Sequence, residues 1–216
     1  MNVSEVIFET LHALPFICGP INNNTYALFD EESKDCVVID PSFYFDRVLQ
    51  KILEPGYTPR EYWLTHAHYD HILGTAYPES REMNITAHLH PKDEILFDEA
   101  VRTKGSMFPL IASCPRPLMD LEDGKELHVG KYIFQTLFTP GHAPGHCCFY
   151  CEEAGWLFSG DLIFYHSYGR TDLTGGDEKT LFKSIYEKVL TLPQETLIMP
   201  GHEYFTRVRN EKVFYS

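Results

Sequence analysis

The stretch Tyr62–His71, YWLTHAHYDH, decides how this chain is read. Its apolar start, Tyr62-Trp63-Leu64, has the composition of a strand. Side chains alternate faces on extended backbone, so His66 and His68 point the same way, while Asp70 and His71 come from the turn just beyond. One segment can therefore feed two metal ions. Three more segments repeat the form of an apolar run followed by His or Asp: FQTLFTPGH (Phe134–His142), GWLFSGD (Gly155–Asp161) and TLIMPGH (Thr196–His202). If these strands align, their C-terminal ends meet at one rim, where ligand sites of α/β sheets form. His142 then completes a three-histidine set with His66 and His68. His202 joins Asp70 and His71 in a second set, Asp161 bridges the two, and Asp70 is also assigned a catalytic role. Two ions held about 3.5–4 Å apart share a water, bring its pKa near 7 and polarise a carbonyl, which yields a hydroxide nucleophile. Any one histidine is more often a core or surface residue, but four such segments together are not explained that way.

The rest of the sequence frames this reading. With 216 residues, 44% hydrophobic and 23% charged, the chain is expected to fold as one α/β domain spanning 1–216. Strand-like runs (TYALF, CVVID, EYWLT, NITAHLH, YIFQTLF, CCFYC, GWLFSG, ETLIMP) alternate with helical patterns. One helix is expected after Ser42 as N-cap, with Phe45, Val48, Leu49, Ile52 and Leu53 on its buried face. A second is expected from Pro91, and a third from Asp177 as N-cap. Residues 102–120 read as a connector rather than a substrate lid. Lys plus Arg number 18 against 31 Asp plus Glu, and the net charge of −13 argues against nucleic acid and anionic membrane as partners. No apolar run reaches the ~20 residues of a membrane span, and the start MNVSEVIFETLH lacks an export pattern, so a cytoplasmic protein is expected. The six cysteines then read as reduced thiols, with Cys148 and Cys151 as buried strand residues rather than a zinc or redox pair.

These motifs resemble the metallo-β-lactamase-fold hydrolases from about Asn24 to Tyr204. GHAPGH (Gly141–His146), GRTDLTGGD (Gly169–Asp177) and LPQETLIMPGHEY (Leu192–Tyr204) are similar to the glyoxalase II (hydroxyacylglutathione hydrolase) group. The GRTD string is similar to its short single-domain members, which lack the C-terminal helical domain of the larger proteins. The resemblance implies a four-layer αβ/βα sandwich and two divalent metal ions, usually zinc and sometimes iron or manganese. It also implies hydrolysis of a small-molecule thioester such as S-D-lactoylglutathione. The positions matching the glutathione contacts are Arg170 and Tyr204. Arg170 binds a carboxylate there or pairs with Asp172 to fix a turn; Tyr204 binds substrate or packs at a strand end. His146 reads as a neighbour that orients ligands, and the second H-x-H, His88 and His90, lacks a following D-H. Persulfide dioxygenases share the resemblance, GRTD included. In them His66, His142 and Asp161 would form the facial triad of a single iron. Lactam hydrolysis lacks a matching Lys or Asn motif, and a scaffold without activity would have lost ligands.

Overall fold

The computed structural model describes residues 4–216. Its first sheet contains β1 (Val6–Phe8), β2 (Leu11–Cys18), β3 (Asn23–Asp30), β4 (Cys36–Ile39), β5 (Glu61–Trp63), β6 (Thr86–Leu89) and β7 (Leu118–Met119), paired in chain order. Strands β1 to β4 are antiparallel and β4 to β7 parallel. The change of sense follows from the connections, since parallel neighbours require a crossover. Helix α1 (Phe45–Leu53) lies between β4 and β5, α2 (Tyr69–Ile72) and α3 (Pro78–Glu82) between β5 and β6, and α4 (Glu94–Thr103) between β6 and β7.

The second sheet is built from β8 (Glu126–Val129), β9 (Tyr132–Phe138), β10 (Cys147–Cys151) and β11 (Trp156–Gly160). A small hairpin, β12 (Ile163–Phe164) with β13 (Ser167–Tyr168), and helix α5 (Glu178–Ser184) come next. Then β14 (Leu197–Pro200) and β15 (Thr206–Arg207) complete the sheet in the order β15-β14-β11-β10-β9-β8, and α6 (Val208–Phe214) follows. Strands β9 and β11 both run antiparallel to β10, and β14 runs parallel to β11. Strands β9, β11 and β14 therefore end on the same edge.

Three separate apolar clusters define four layers. The middle one, between the sheets, holds Val37, Ile39, Trp63, Phe134, Phe149, Phe158 and Met199. An outer cluster packs Cys36, Val38 and Tyr62 against Phe45, Leu49 and Leu96, and the other packs Cys148, Leu157 and Ile198 against Leu181, Ile185 and Val189. Successive residues of β4, β5, β10 and β14 thus go to opposite clusters, which is the period of two for strands covered on both faces. This is the α/β sandwich anticipated for the chain. Cys148 and Cys151 illustrate the rule, because three residues apart on a strand they face opposite layers. All six cysteines are free, and burial pushes the Cys148 thiol up to about 12.

Local signals fared unevenly. Asp177 does cap α5, accepting the Thr180 N–H at 2.7 Å. Ser42 does not cap α1: the cap position is Tyr44, in a left-handed conformation with no side-chain bond, and the Ser42 hydroxyl instead donates to the Asp70 carbonyl. Leu53, expected on the buried face, is exposed in the last turn. The Pro91 segment opens as a 3₁₀ turn, Pro91–Asp93, before α4 begins at Glu94. Residues 102–120 contain the end of α4, two further 3₁₀ turns and β7. Among the described residues no helix is long and apolar enough to cross a membrane.

Candidate metal centre

The rim holds every residue of the two expected ligand sets. His66, His68, Asp70 and His71 follow β5, His142 follows β9, Asp161 follows β11 and His202 follows β14. Ligand atoms of His66, His68 and His142 lie within 4.8 Å of one another, and so do those of Asp70, His71 and His202. Asp161 stands between the sets. Its Oδ2 is 3.5 Å from His71 Nε2, 3.4 Å from His202 Nε2 and 3.6 Å from His142 Nε2.

The donor chemistry fits metal ions. An ion about 2.1 Å from each ligand gives donor–donor edges of about 3.4 Å in a tetrahedron and about 3.0 Å in an octahedron. The edges from His71 and His202 Nε2 to Asp70 Oδ2 are 3.4 and 3.5 Å. His66 Nε2 and Asp161 Oδ1 are buried without a hydrogen-bond partner among the described residues, which is costly unless something else engages them, and His68 turns its Nδ1 to within 2.8 Å of His142 Nε2. The outer nitrogens, in contrast, are held: His71 Nδ1 by Asp40 Oδ2 at 3.0 Å, His142 Nδ1 by the Arg170 carbonyl at 2.6 Å and His202 Nδ1 by the Ile21 carbonyl at 3.0 Å. Such outer bonds set the tautomer and aim the other nitrogen inward.

Two glycines are required here by close approach. A Cβ on Gly201 would lie 2.3 Å from Asp161 Oδ1 and 2.8 Å from His71 Cε1. One on Gly160, which has φ +48°, would meet Thr65 Oγ1 and His146 Nε2 at 2.6 and 2.7 Å. The Gly of the second P-G-H is therefore space for Asp161 and His71, and the Gly in S-G-D is space for Thr65 and His146 behind them.

Several residues that organise the rim escaped the motif reading. Asp40, left-handed at φ 50° and buried, accepts the Thr65 N–H and hydroxyl as well as bonding His71. It ends the run CVVID, so the pattern of an apolar run followed by Asp could have found it. Buried Asp93 accepts N–H bonds from Ala67, between His66 and His68, and from Gly145 in the loop of His142. Asn23 donates from Nδ2 to Asp70 Oδ2 at 2.8 Å. His146 Nε2 accepts the Asp161 N–H at 3.1 Å, and its Nδ1 lies 2.9 Å from Thr139 Oγ1, so it holds the backbone of Asp161. His88 pairs with Asp120 at 2.9 Å and His90 stacks on Phe138, and neither joins a ligand cluster.

The two sets differ electrically. Burial, then its histidine neighbours, pushes His66 well below its ordinary range, and burial takes His68 down to about 3 and lowers His142. In the second set burial opposes the charge but the carboxylates outweigh it. Asp161 and Asp70 hold His71 well above its usual value and His202 at about 10, and both carboxyls are lowered in return. Near pH 7 the metal-free protein therefore has neutral imidazoles in the first set and imidazoliums in the second. Filling the second position should release about two protons, and its affinity should climb with pH from 7 towards 10, whereas the first ion should bind with little proton release. Calorimetric titration in buffers of different ionisation enthalpy measures this. Equal proton counts for both ions would contradict it.

The cleft above the ligands has two connected spaces of about 260 and 860 Å³ that share Ile21, His142, Asp161, Arg170 and His202. Leu96, Lys104 and Leu173 line the smaller, and Tyr168 and Tyr204 the larger. Arg170 borders both while its guanidinium makes two 2.7 Å bonds to Asp172, so its side chain makes the turn pair.

A rim of histidines and carboxylates between two sheets that could hold metal ions points to a protein class, and residues 18–202 match the family model of the metallo-beta-lactamase superfamily. The chain belongs to that superfamily of metallo-hydrolases, whose members bind divalent metals. It is 40% identical over 196 residues to the probable metallo-hydrolase YqgX of Bacillus subtilis, covering 90% of this chain and 91% of that one. It is 32% identical over 192 residues to the hydroxyacylglutathione hydrolase GloC of Haemophilus influenzae, covering 88% and 89%. It is 34% identical over 181 residues to the mitochondrial persulfide dioxygenase ETHE1 of Homo sapiens, covering 83% of this chain and 63% of that one. Among solved structures, the di-iron-bound form of TTHA1623 superposes with a TM-score of 0.81 at 38% identity, covering 92% and 96%.

Proposed function

We propose that this chain is a cytoplasmic hydrolase of small acyl thioesters of the S-D-lactoylglutathione type, working with two divalent ions, zinc at the three-histidine position. The observation that carries the reading is the second set: Asp70, His71 and His202 stand within ligand distance of one another, with Asp161 between them and the first set. Bound ions supply a water that ionises near neutral pH and a positive charge against the carbonyl oxygen. His66, His68 and His142 would hold one ion, Asp70, His71 and His202 the other, and Asp161 both. Asp70 is held ionised, so it can accept and relay the proton of the attacking water. A thiolate leaves without strong acid help, so the reaction needs no protonated side chain at the leaving group. Arg170 and Tyr204 border the larger space, where the glutathione part of the substrate would lie.

A second reading, a persulfide dioxygenase with one iron, draws on the 34% identity to ETHE1 and on His142, Asp161 and His66 as a triad. It leaves Asp70, His71 and His202 without a direct role. The two separate on oxygen. Metal-loaded protein should release free thiol from S-D-lactoylglutathione under nitrogen as fast as in air. Oxygen uptake with glutathione persulfide, and no thiol release from any thioester offered, would replace the hydrolase with the dioxygenase.

A further inference from the structure

We propose that Asn23, on β3 of the first sheet, is a fifth ligand of the second metal position through its side-chain oxygen, beside Asp70, His71, His202 and Asp161; the inference rests on the two-ion reading above. Asn23 is buried, and its Nδ2 lies 2.8 Å from Asp70 Oδ2, 3.4 Å from His202 Nε2 and 3.5 Å from His71 Nε2. The amide terminus thus touches all three members of the second set. These separations match the edges of a coordination shell about 2.1 Å in radius. The backbone ties it there, because Asn23 forms a β-bridge with His202 and the Asn24 N–H donates to the Gly201 carbonyl at 2.7 Å.

The other end of the amide points to a ligand role. Asn23 Oδ1 is buried and has no hydrogen-bond partner among the described residues. A half-turn about the terminal bond exchanges oxygen and nitrogen at nearly unchanged positions, which is the ambiguity every amide has. Without a cation, the N–H must face Asp70, since two oxygens at 2.8 Å repel. With a cation among Asp70, His71 and His202, the oxygen belongs inside and the unpartnered position passes to the nitrogen. The amide orientation and the occupancy of the second position are then one coupled event.

The consequence is an asymmetric pair. The first position has three imidazoles, whereas the second has oxygens from Asp70, Asp161 and Asn23 with nitrogens from His71 and His202. Five donors with an oxygen majority suit manganese(II) or iron(II), which take higher coordination than the tetrahedron zinc prefers.

Manganese(II) titration of the full chain, followed by equilibrium dialysis and elemental analysis, tests this without any activity readout. The wild type should bind two ions. Asn23→Ala should keep the first and weaken the second at least about tenfold, the loss seen when a metal's neighbouring shell is cut. Asn23→Asp, which keeps the shape and adds charge, should bind the second ion more tightly than the wild type. In cobalt(II)-loaded protein, Asn23→Ala should raise the intensity of the visible bands of the second ion as its coordination number falls. An unchanged second affinity and spectrum in Asn23→Ala overturns the inference alone, and a wild type that takes up one ion overturns it together with the two-ion reading. If Asn23→Ala does not fold, unchanged second-ion affinity in Asn23→Asp overturns it equally.

Discussion

Asp161→Ala should lose both metal affinity and turnover, with kcat/KM falling on the order of 10³-fold or more, about 4 kcal/mol of transition-state stabilisation. Asp161 is the carboxylate that stands between His142 of the first set and His71 and His202 of the second. Asp161 Oδ2 is within 3.6 Å of imidazole nitrogens from His71, His202 and His142, and Oδ1 is buried with no partner of its own. Burial resists the charge on this carboxyl, but His71 and His202 beside it hold its pKa well below the usual range, so it is ionised near neutral pH. On the two-ion reading, removing it would take one charged oxygen ligand from each ion, and in the metal-free state it would leave the imidazoliums of buried His71 and half-buried His202 short of a counter-charge. Asp161→Asn separates charge from shape. It should retain the fold better than alanine while still losing most of the second ion, since a neutral amide cannot balance His71 and His202. Elemental analysis beside steady-state kinetics on a thioester reads both effects. An Asp161→Ala protein with two ions and turnover within tenfold of wild type would remove Asp161 from the centre of the site.

How much of this was legible follows from what one residue pattern can encode. The ligand motifs were readable because each is local: an apolar strand, a sharp turn and a donor just past the strand end, four times over. Every strand-like run named from the sequence became part of a strand, since residues covered on both faces stand out as apolar runs. Besides strands of two or three residues, β2 and β8 were missed, because the first contains Pro15 and two His or Cys interruptions, and the second, ELHV, is too short to show a period. Ser42 looked like a cap by position, but a tertiary bond to Asp70 O uses its hydroxyl instead. Asn23 and Asp93 were illegible for a different reason. Their partners lie 47 residues away in one case and 26 and 52 in the other, and nothing in INNNTY or HPKDE marks which polar residue will be buried. For Asn23, the pairing of β3 with β4 and of β4 with β5 in one sheet and the meeting of β3 with the end of β14 from the other decide it.

Asp93 is also where the largest change in stability is expected. It is fully buried, its two oxygens each accept a backbone N–H, and these N–H groups belong to the two loops that carry His66, His68 and His142. Asp93→Leu leaves both N–H groups buried and unpaired, at about 1–3 kcal/mol each. A loss of about 3 kcal/mol lowers Tm by roughly 6–12 °C in a chain of this size. Asp93→Asn should cost less, because its single oxygen still serves one N–H. Burial raises the Asp93 carboxyl from 3.8 to about 6, against the lowering effect of the two N–H bonds. Because the folded state then holds this proton more tightly than the unfolded chain, its contribution is present in full below pH 4 and declines as pH rises through 6. The stability of wild type relative to Asp93→Asn should therefore fall by about 2 kcal/mol between pH 4 and pH 7, on the scale of 1.36 kcal/mol per pKa step. Denaturant unfolding of the two proteins side by side at several pH values gives that difference directly, with every other titration cancelling. A difference that is flat over the window, or that grows with pH, would mean the Asp93 carboxylate is stabilised by its N–H bonds more than it is penalised by burial.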